Sequence, residues 1–305
     1  MKLTSPPQIY IITEKNTSMV TTRMSRASPP SSPDGHVAQP AALPRISAPA
    51  RRFAAPRTIF ALVLREMATT YGRSPGGYIW AVLEPLGAIL ILALAFSLLI
   101  RHPPLGTSFV LFYSTGYLPF SLYQSLMNAV SRALVFSRPL LMYPAVSWMD
   151  ALLARAVLNT LTGVTVIYLL MSGIFIFTET NVVVDITRIL SATAMAALLG
   201  FGVGSVNCLL IGVFPVWEVV WSIFSRPLFL ASGILFVYED LPRTIQSILW
   251  FNPLIHIIGE MRTGFYPMYS AEYVSPFFVI FLSLTLITFS FTMLRKYHLD
   301  ILNDR

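Results

Sequence analysis

Charge is scarce in this chain. Only 11% of its 305 residues are Asp, Glu, Lys or Arg, while 55% are hydrophobic, against about a quarter charged in an ordinary soluble domain. Mean hydropathy is +0.68, which places the chain in the integral-membrane class. With a single cysteine, Cys208, no internal disulfide framework can form. The four histidines, His36, His102, His256 and His298, are scattered without metal-ligand spacing. No GxxxxGK[ST], HExxH or GxSxG sequence occurs, so there is no recognisable phosphate loop, zinc-protease helix or nucleophile elbow. The net charge of +7 is first a membrane-topology signal, and nucleic acid is the weaker reading.

What is present divides in two. Residues 1–50 are rich in Ser, Pro, Thr and Ala, as in Ser28-Pro29-Pro30-Ser31-Ser32-Pro33, and have too few clustered apolar side chains to offset the entropy of ordering. They read as a disordered cytoplasmic tail without a secretory signal, and Met19 or Met24 is an alternative start. From Arg57 to Tyr71 a short helix with Ile59, Phe60, Leu62, Val63, Leu64 and Met67 on an apolar face and arginines near its ends is expected to lie along the cytoplasmic interface.

A spanning helix needs about 20 mostly apolar residues. Six such segments are expected: Gly77 to Ile100, Ser108 to Val130, Trp148 to Phe177, Ile189 to Phe214, Val219 to Tyr238 and Val274 to Leu294. Arg51, Arg52, Arg57, Arg65 and Arg73 precede the first, Arg132 and Arg138 follow the second, and Arg295 and Lys296 follow the sixth, so these ends are assigned to the cytoplasm. Both termini then share that side. Between the last two spans, Ile245 to Ile258 is too short to cross and is punctuated by Trp250-Phe251-Asn252-Pro253, which predicts a re-entrant helical hairpin entering from the periplasmic side. Its irregular turn is tolerable at depth only if buried in protein or facing a wet cavity, so Asn252, Pro253, His256 and Glu260 are candidate gate residues. His256 and Glu260, one turn apart, read as hairpin packing rather than catalysis because no third partner is evident.

Several polar groups fall inside the spans. Glu84 before Pro85 and Arg226 before Pro227 carry two open readings, a place on a translocation path or an internal ion pair that fixes packing. Tyr113, Tyr117, Phe120, Gln124 and Asn128 recur every three or four residues, which places rings and amides on one helix face. Such a face suits sugars, whose C–H faces pack on aromatic rings and whose hydroxyls pair with amides. Trp217, Trp221 and Phe224 form a second stripe, for which an ordinary interfacial belt is the competing reading. Gly200-x-x-x-Gly204, with no preceding strand, predicts close helix packing rather than phosphate binding.

Arg65-Glu66 in an amphipathic helix, followed by Tyr71-Gly72-Arg73-Ser74-x-x-Gly77-Tyr78-x-Trp80-Ala81-x-x-Glu84-Pro85, resembles the entry to the first span of type-2 ABC exporter permeases for bacterial polysaccharide. Ser225-Arg226-Pro227-Leu228-Phe229-x-x-Ser232-Gly233 and Phe251-Asn252-Pro253-Leu254-x-His256-x-x-x-Glu260-x-Arg262 resemble the capsular-polysaccharide branch. The resemblance covers residues 51–305 and implies an all-α transmembrane domain of six spans, an interfacial helix and a periplasmic hairpin. It implies a homodimer in the bacterial inner membrane that binds two copies of a separate ATPase and exports a lipid-linked polysaccharide. ATP and magnesium would then be bound by the partner, with no cofactor in this chain, and periplasmic and outer-membrane export proteins could follow. By the same resemblance Arg65, Glu66, Arg138 and Tyr143 are the coupling candidates, and Tyr113, Tyr117, Phe120, Gln124, Trp217 and Trp221 the channel candidates by position. A membrane-embedded glycosyl or acyl transferase is the alternative, and it would need a polar catalytic cluster at one leaflet.

Overall fold

The computed structural model describes residues 54–70, 76–141, 146–177 and 184–303. The chain divides between residues 49 and 50, and all described residues lie in the second unit. The Ser/Pro-rich tail, together with Arg51, Arg52, Arg73 and Tyr143, lies outside the described residues.

Every regular element among the described residues is helical. The helices are α1 (Ala54–Thr70), α2 (Tyr78–Leu99), α3 (Phe109–Ser131), α4 (Ala133–Leu141), α5 (Trp148–Phe177), α6 (Ile186–Val213), α7 (Trp217–Leu230), α8 (Arg243–Leu249), α9 (Pro253–Phe265) and α10 (Pro276–Asn303). Four of them, α2, α5, α6 and α10, are long and apolar enough to cross a membrane. The 23-residue α3 is long enough, but Ser114, Thr115, Ser121, Gln124, Ser125 and Asn128 dilute its apolar character.

The largest departure from expectation is α7. A continuous helix from Val219 to Tyr238 does not form, because the helix ends at Leu230 after 14 residues, about 21 Å of rise. Gly233 then adopts φ 89°, a left-handed geometry that side chains resist, and the chain turns into an irregular segment. Ser232, Ile234 and Val237 of that segment are buried. At the other extreme, α10 runs nine residues past the expected Leu294, to Asn303. Ile301 packs against Gly212 of α6, and Arg138 Nη2 donates to the Leu302 carbonyl at 2.8 Å, so the extra turns are docked and capped.

Three glycines set the centre of the bundle. A Cβ on Gly200 would stand 2.9 Å from the Tyr123 carbonyl oxygen, and one on Gly204 2.9 Å from that of Met127, so both allow α6 to lie backbone to backbone on α3. Gly202, on the opposite side, meets the Ser283 carbonyl of α10 at 3.0 Å in the same sense. The alternation makes α6 the buried spine between α3 and α10. By contrast α1 lies on α5 through Ile59, Leu62, Val63 and Met67 against Ala154 and Leu158, leaving Phe60 and Leu64 exposed.

Where the sequence predicts a hairpin, two helices are joined at Trp250–Asn252. Asn252 makes the turn: its Oδ1 accepts from the Leu254 N–H at 3.1 Å as an N-cap, with Pro253 at the first helical position, where no N–H is needed. The first arm, α8, has no buried residue, whereas α9 is buried along most of its length.

Candidate functional site: a polar helix face and its two ends

The face of α3 that carries Gln124 and Asn128 is open, and both side chains border two recesses. One, about 510 Å³, lies between α3 and α7 and is walled by Phe120, Gln124, Asn128, Arg132, Trp221 and Arg226. The other, about 280 Å³, lies among α2, α3 and α5, with Glu84, Tyr117, Gln124, Asn128, Asn159 and Thr162 around it. Amides, hydroxyls and single charges in an otherwise apolar bundle are what a wet, hydroxyl-binding surface requires.

The expected aromatic stripe divides along this helix. Tyr113 is 0% exposed, enclosed by Phe96 and Phe112 with centroids at 5.3 and 5.1 Å, and borders neither recess. Tyr117 faces the second recess, and Phe120, only 3% exposed, contributes a ring to the first while resting edge-on against Phe229. Phe96 of α2 covers the Tyr113 ring, and beside it the segment after α7 closes on α3, where a Cβ on Gly116 would stand 3.1 Å from the Ile234 Cα, so the face stays open only from Tyr117 onward. The tryptophan stripe divides too. Trp221 lines the first recess, while Trp217 stacks on it at 6.4 Å and donates its Nε1–H to Asn207 Oδ1 at 2.9 Å.

Glu84 and Arg226 face separate recesses, and among the described residues no ion pair involves either. At the mouth of the first recess Arg132 and Glu218 pair at 2.7 Å, but with side chains 66% and 50% exposed. Such a pair contributes about 1 kcal/mol at most.

At one end of the bundle α1, α4 and the end of α10 come together. Arg65 is exposed, while Glu66 turns inward to Arg155 of α5 at 2.7 Å, with the two side chains 12% and 8% exposed. Arg155 was not singled out from the sequence. It is the eighth residue of α5, its Nη1 also donates to the Ala129 carbonyl at 2.8 Å, and its guanidinium lies 4.2 Å from the Phe136 ring centroid. An arginine inside a span, with a glutamate in the preceding amphipathic helix, was the available signal. Three arginines thus tie the α3–α4 corner to its surroundings: Arg132 to α7, Arg138 to α10, and Arg155 to α1.

At the opposite end, α9 holds the irregular segment. Asn252 Nδ2 donates to the Ala231 carbonyl at 2.8 Å, and Arg262 donates from Nη1 to Phe236 at 2.7 Å and from Nη2 to Ile234 at 3.1 Å. The Arg262 guanidinium also sits 4.3 Å from the Phe112 ring centroid. Backbone that has left the helical ladder is thereby supplied with donors. His256 is fully buried, its Nδ1 accepting from the Ser275 N–H at 3.2 Å, which assigns the proton to Nε2, 2.7 Å from the Trp250 carbonyl. It staples the hairpin turn to the start of α10. Burial pushes the imidazole below its ordinary pKa, against the opposing effect of backbone bonding at Trp250 and Tyr273. Burial raises the pKa of Glu260, partly countered by Arg188 at 3.6 Å. Tyr269 donates to Glu239 Oε2 at 2.8 Å beside this cluster. Among the described residues no group of His, Cys, Asp and Glu is arranged to hold a metal ion.

Comparison with known proteins adds a family pattern. The model of the ABC-2 type transporter family matches residues 57–266. The polysialic acid transport protein KpsM of Escherichia coli is 32% identical over 218 residues, 72% of this chain and 84% of that protein. The capsule polysaccharide export inner-membrane protein BexB of Haemophilus influenzae is 28% identical over 244 residues, 79% of this chain and 91% of that protein. CtrC of Neisseria meningitidis, also a capsule polysaccharide export inner-membrane protein, is 26% identical over 241 residues, again 79% and 91%.

Proposed function

Because the chain belongs to the ABC-2 type transporter family, we propose that it is the membrane permease of an ATP-driven exporter of capsular polysaccharide, working as a homodimer with two copies of a separate ATPase chain. The observation that carries the reading is the open α3 face, where Gln124 and Asn128 border two recesses between apolar helices. A polymer of sugar rings needs such amides and hydroxyls at intervals and a path shielded from lipid.

In this reading α2, α3, α5, α6, α7 and α10 make six crossings, with α7 completed by the segment 231–240, and α8 and α9 form a re-entrant periplasmic gate. The bonds that gather α1, α4 and the end of α10 support one basic, cytoplasmic end with both termini there. A second copy would cover α7, which has no buried residue and exposes Val219, Ile223 and Phe224. The glycan's lipid anchor would stay in the bilayer while the polymer passes along Tyr117, Gln124 and Trp221, with Glu84 and Arg226 meeting its charged or hydroxylated groups.

ATP, with magnesium, is bound by the partner, and closure of the ATPases pushes on Arg65 and on the α4 corner around Arg138 and Tyr143. Arg132 carries that displacement to α7 and Arg155 ties α1 to α5, a differential contact that shifts the permease between conformations. The transferase alternative fares worse, since His256 has both ring nitrogens engaged in holding the hairpin.

The test is deletion of the gene in its own host, followed by fractionation and assay of lipid-linked polymer. Accumulation inside with none at the surface is expected. Loss of polymer everywhere would point to biosynthesis, and unchanged surface polymer would refute export.

A further inference from the structure

The buried guanidinium of Arg155 is engaged by groups on three other elements. Its Nη2 holds the Glu66 carboxylate of α1 at 2.7 Å, its Nη1 donates to the Ala129 carbonyl in the last turn of α3 at 2.8 Å, and its plane rests on the Phe136 ring of α4. One turn further along α5, Asn159 Nδ2 donates to the Arg155 carbonyl at 2.9 Å and borders the recess that holds Glu84. A planar fork with fixed donor directions can serve a carboxylate and a carbonyl at once, which a lysine ammonium does far less rigidly. The carbonyls of a helix's last turn have no donor within the helix, so Ala129 is a natural anchor for such a fork.

We propose that Arg155 is a positioning residue for transport, the joint through which displacement of α1 and α4 reaches the glycan-lined face of α3. The apolar contacts of α1 are with α5, through Val63, Ala154 and Leu158, and those contacts alone would let α1 follow α5 without dictating where α3 ends. The guanidinium removes that freedom, because Glu66 and Ala129 share a single rigid group. This inference rests on the permease reading above and adds to it which side chain converts motion at the ATPase-facing end into motion at the recesses.

The test separates a joint from a simple staple. In the charge swap Glu66→Arg with Arg155→Glu, the α1–α5 ion pair can re-form, but a carboxylate at 155 faces the Ala129 carbonyl and cannot donate to it. The full-length chain, co-expressed with its ATPase partner, is reconstituted in proteoliposomes, and the host's own lipid-linked glycan, radiolabelled and extracted, is the probe. ATP hydrolysed and glycan moved are measured together. The expected result for the swap is an assembled complex in which glycan moved per ATP hydrolysed is reduced at least about tenfold. Restoration of that ratio by the swap would overturn the proposal and leave Arg155 a staple between α1 and α5. Should the swap fail to assemble, Phe136→Leu, which removes the ring beneath the guanidinium at a half-exposed site, gives the second reading. A severalfold fall in glycan per ATP with assembly intact is expected there, and an unchanged ratio overturns the proposal. If the unaltered complex moves no glycan with ATP, the permease reading itself fails, which is a different outcome.

Discussion

Replacing Arg262 by methionine keeps an unbranched side chain of similar length in α9 but removes the donors that organise the segment after α7. Two buried carbonyls, of Ile234 and Phe236, would lose charge-assisted bonds of 3.1 and 2.7 Å. Leaving a buried acceptor unpaired costs about 1–3 kcal/mol each, and loss of the desolvated stacking on Phe112 adds on the order of 1–2 kcal/mol. Against this, the residue is only 2% exposed, and not burying a guanidinium returns part of the sum. The net expectation is about 3 kcal/mol, or roughly a hundredfold in the local opening equilibrium. Loosening should concentrate in residues 231–240, since α3 and α6 keep their own contacts. Hydrogen exchange in lipid nanodiscs would read it: amides of 232–237 exchange roughly a hundredfold faster in Arg262→Met, intermediate in Arg262→Lys, and those of 195–205 remain as before. Equal protection of 232–237 in the variant and the unaltered protein would refute the argument that this side chain sets the shape of that segment.

Glycine substitutions should split by location. Gly204→Val places a branched side chain where even a Cβ stands 2.9 Å from the Met127 carbonyl, so a loss of about 1–3 kcal/mol and a lower melting temperature in detergent are expected, whereas Gly87→Ala and Gly173→Ala, with nothing within 4 Å, should be neutral or gain up to about 1 kcal/mol. Glu84→Lys and Arg226→Glu should each reduce transport by about tenfold, roughly the worth of one charge-assisted hydrogen bond, and the double variant should recover nothing because the two groups face separate recesses; recovery would indicate pairing. For pH, burial lowers the folded-state pKa of His256, so the unfolded chain binds the proton more readily and stability falls as pH drops below about 6.5, the unfolded value. The raised pKa of Glu260 acts with the opposite sign, its share being fully present at low pH and lost as pH rises. Thermal midpoints of the unaltered protein and His256→Gln, compared between pH 7.5 and 5, isolate the histidine: the variant should show no acid loss, or an acid gain, and equal losses in both would refute the assignment.

The parts of the fold legible in sequence were those fixed by local chemistry. Asn252-Pro253 marked the hairpin turn because proline bars helix in the residue before it and asparagine caps the next helix. Gly200 and Gly204 marked backbone contact because only glycine permits it. The end of α7 was not legible: Phe229 to Tyr238 is apolar whether it continues as a helix or as irregular buried chain, and only Gly233 signals the break. The covered end of the aromatic stripe was not legible either: Tyr113 shares a helix face with Gln124, but Phe96 of α2 lies over its ring, a tertiary fact that periodicity along one helix does not contain. Arg155 escaped for a similar reason, since its partners lie 89 residues before it in Glu66 and 26 before it in Ala129.

Where α6 meets α3 at Gly200 and Gly204, main chain rests on main chain, with no long side chain between to swing aside. Such a contact has no slack. The two helices together make a stiff beam, and the open face of α3 is the common floor of both recesses. The helices beside that floor are held more lightly: α7 buries no residue, and of the 22 in α2 only Pro85, Ile89 and Ala93 are buried. Displacement delivered to the end of α3 therefore carries Gln124, Asn128 and α6 along as one piece, like rungs on a rigid ladder moving past lightly held walls.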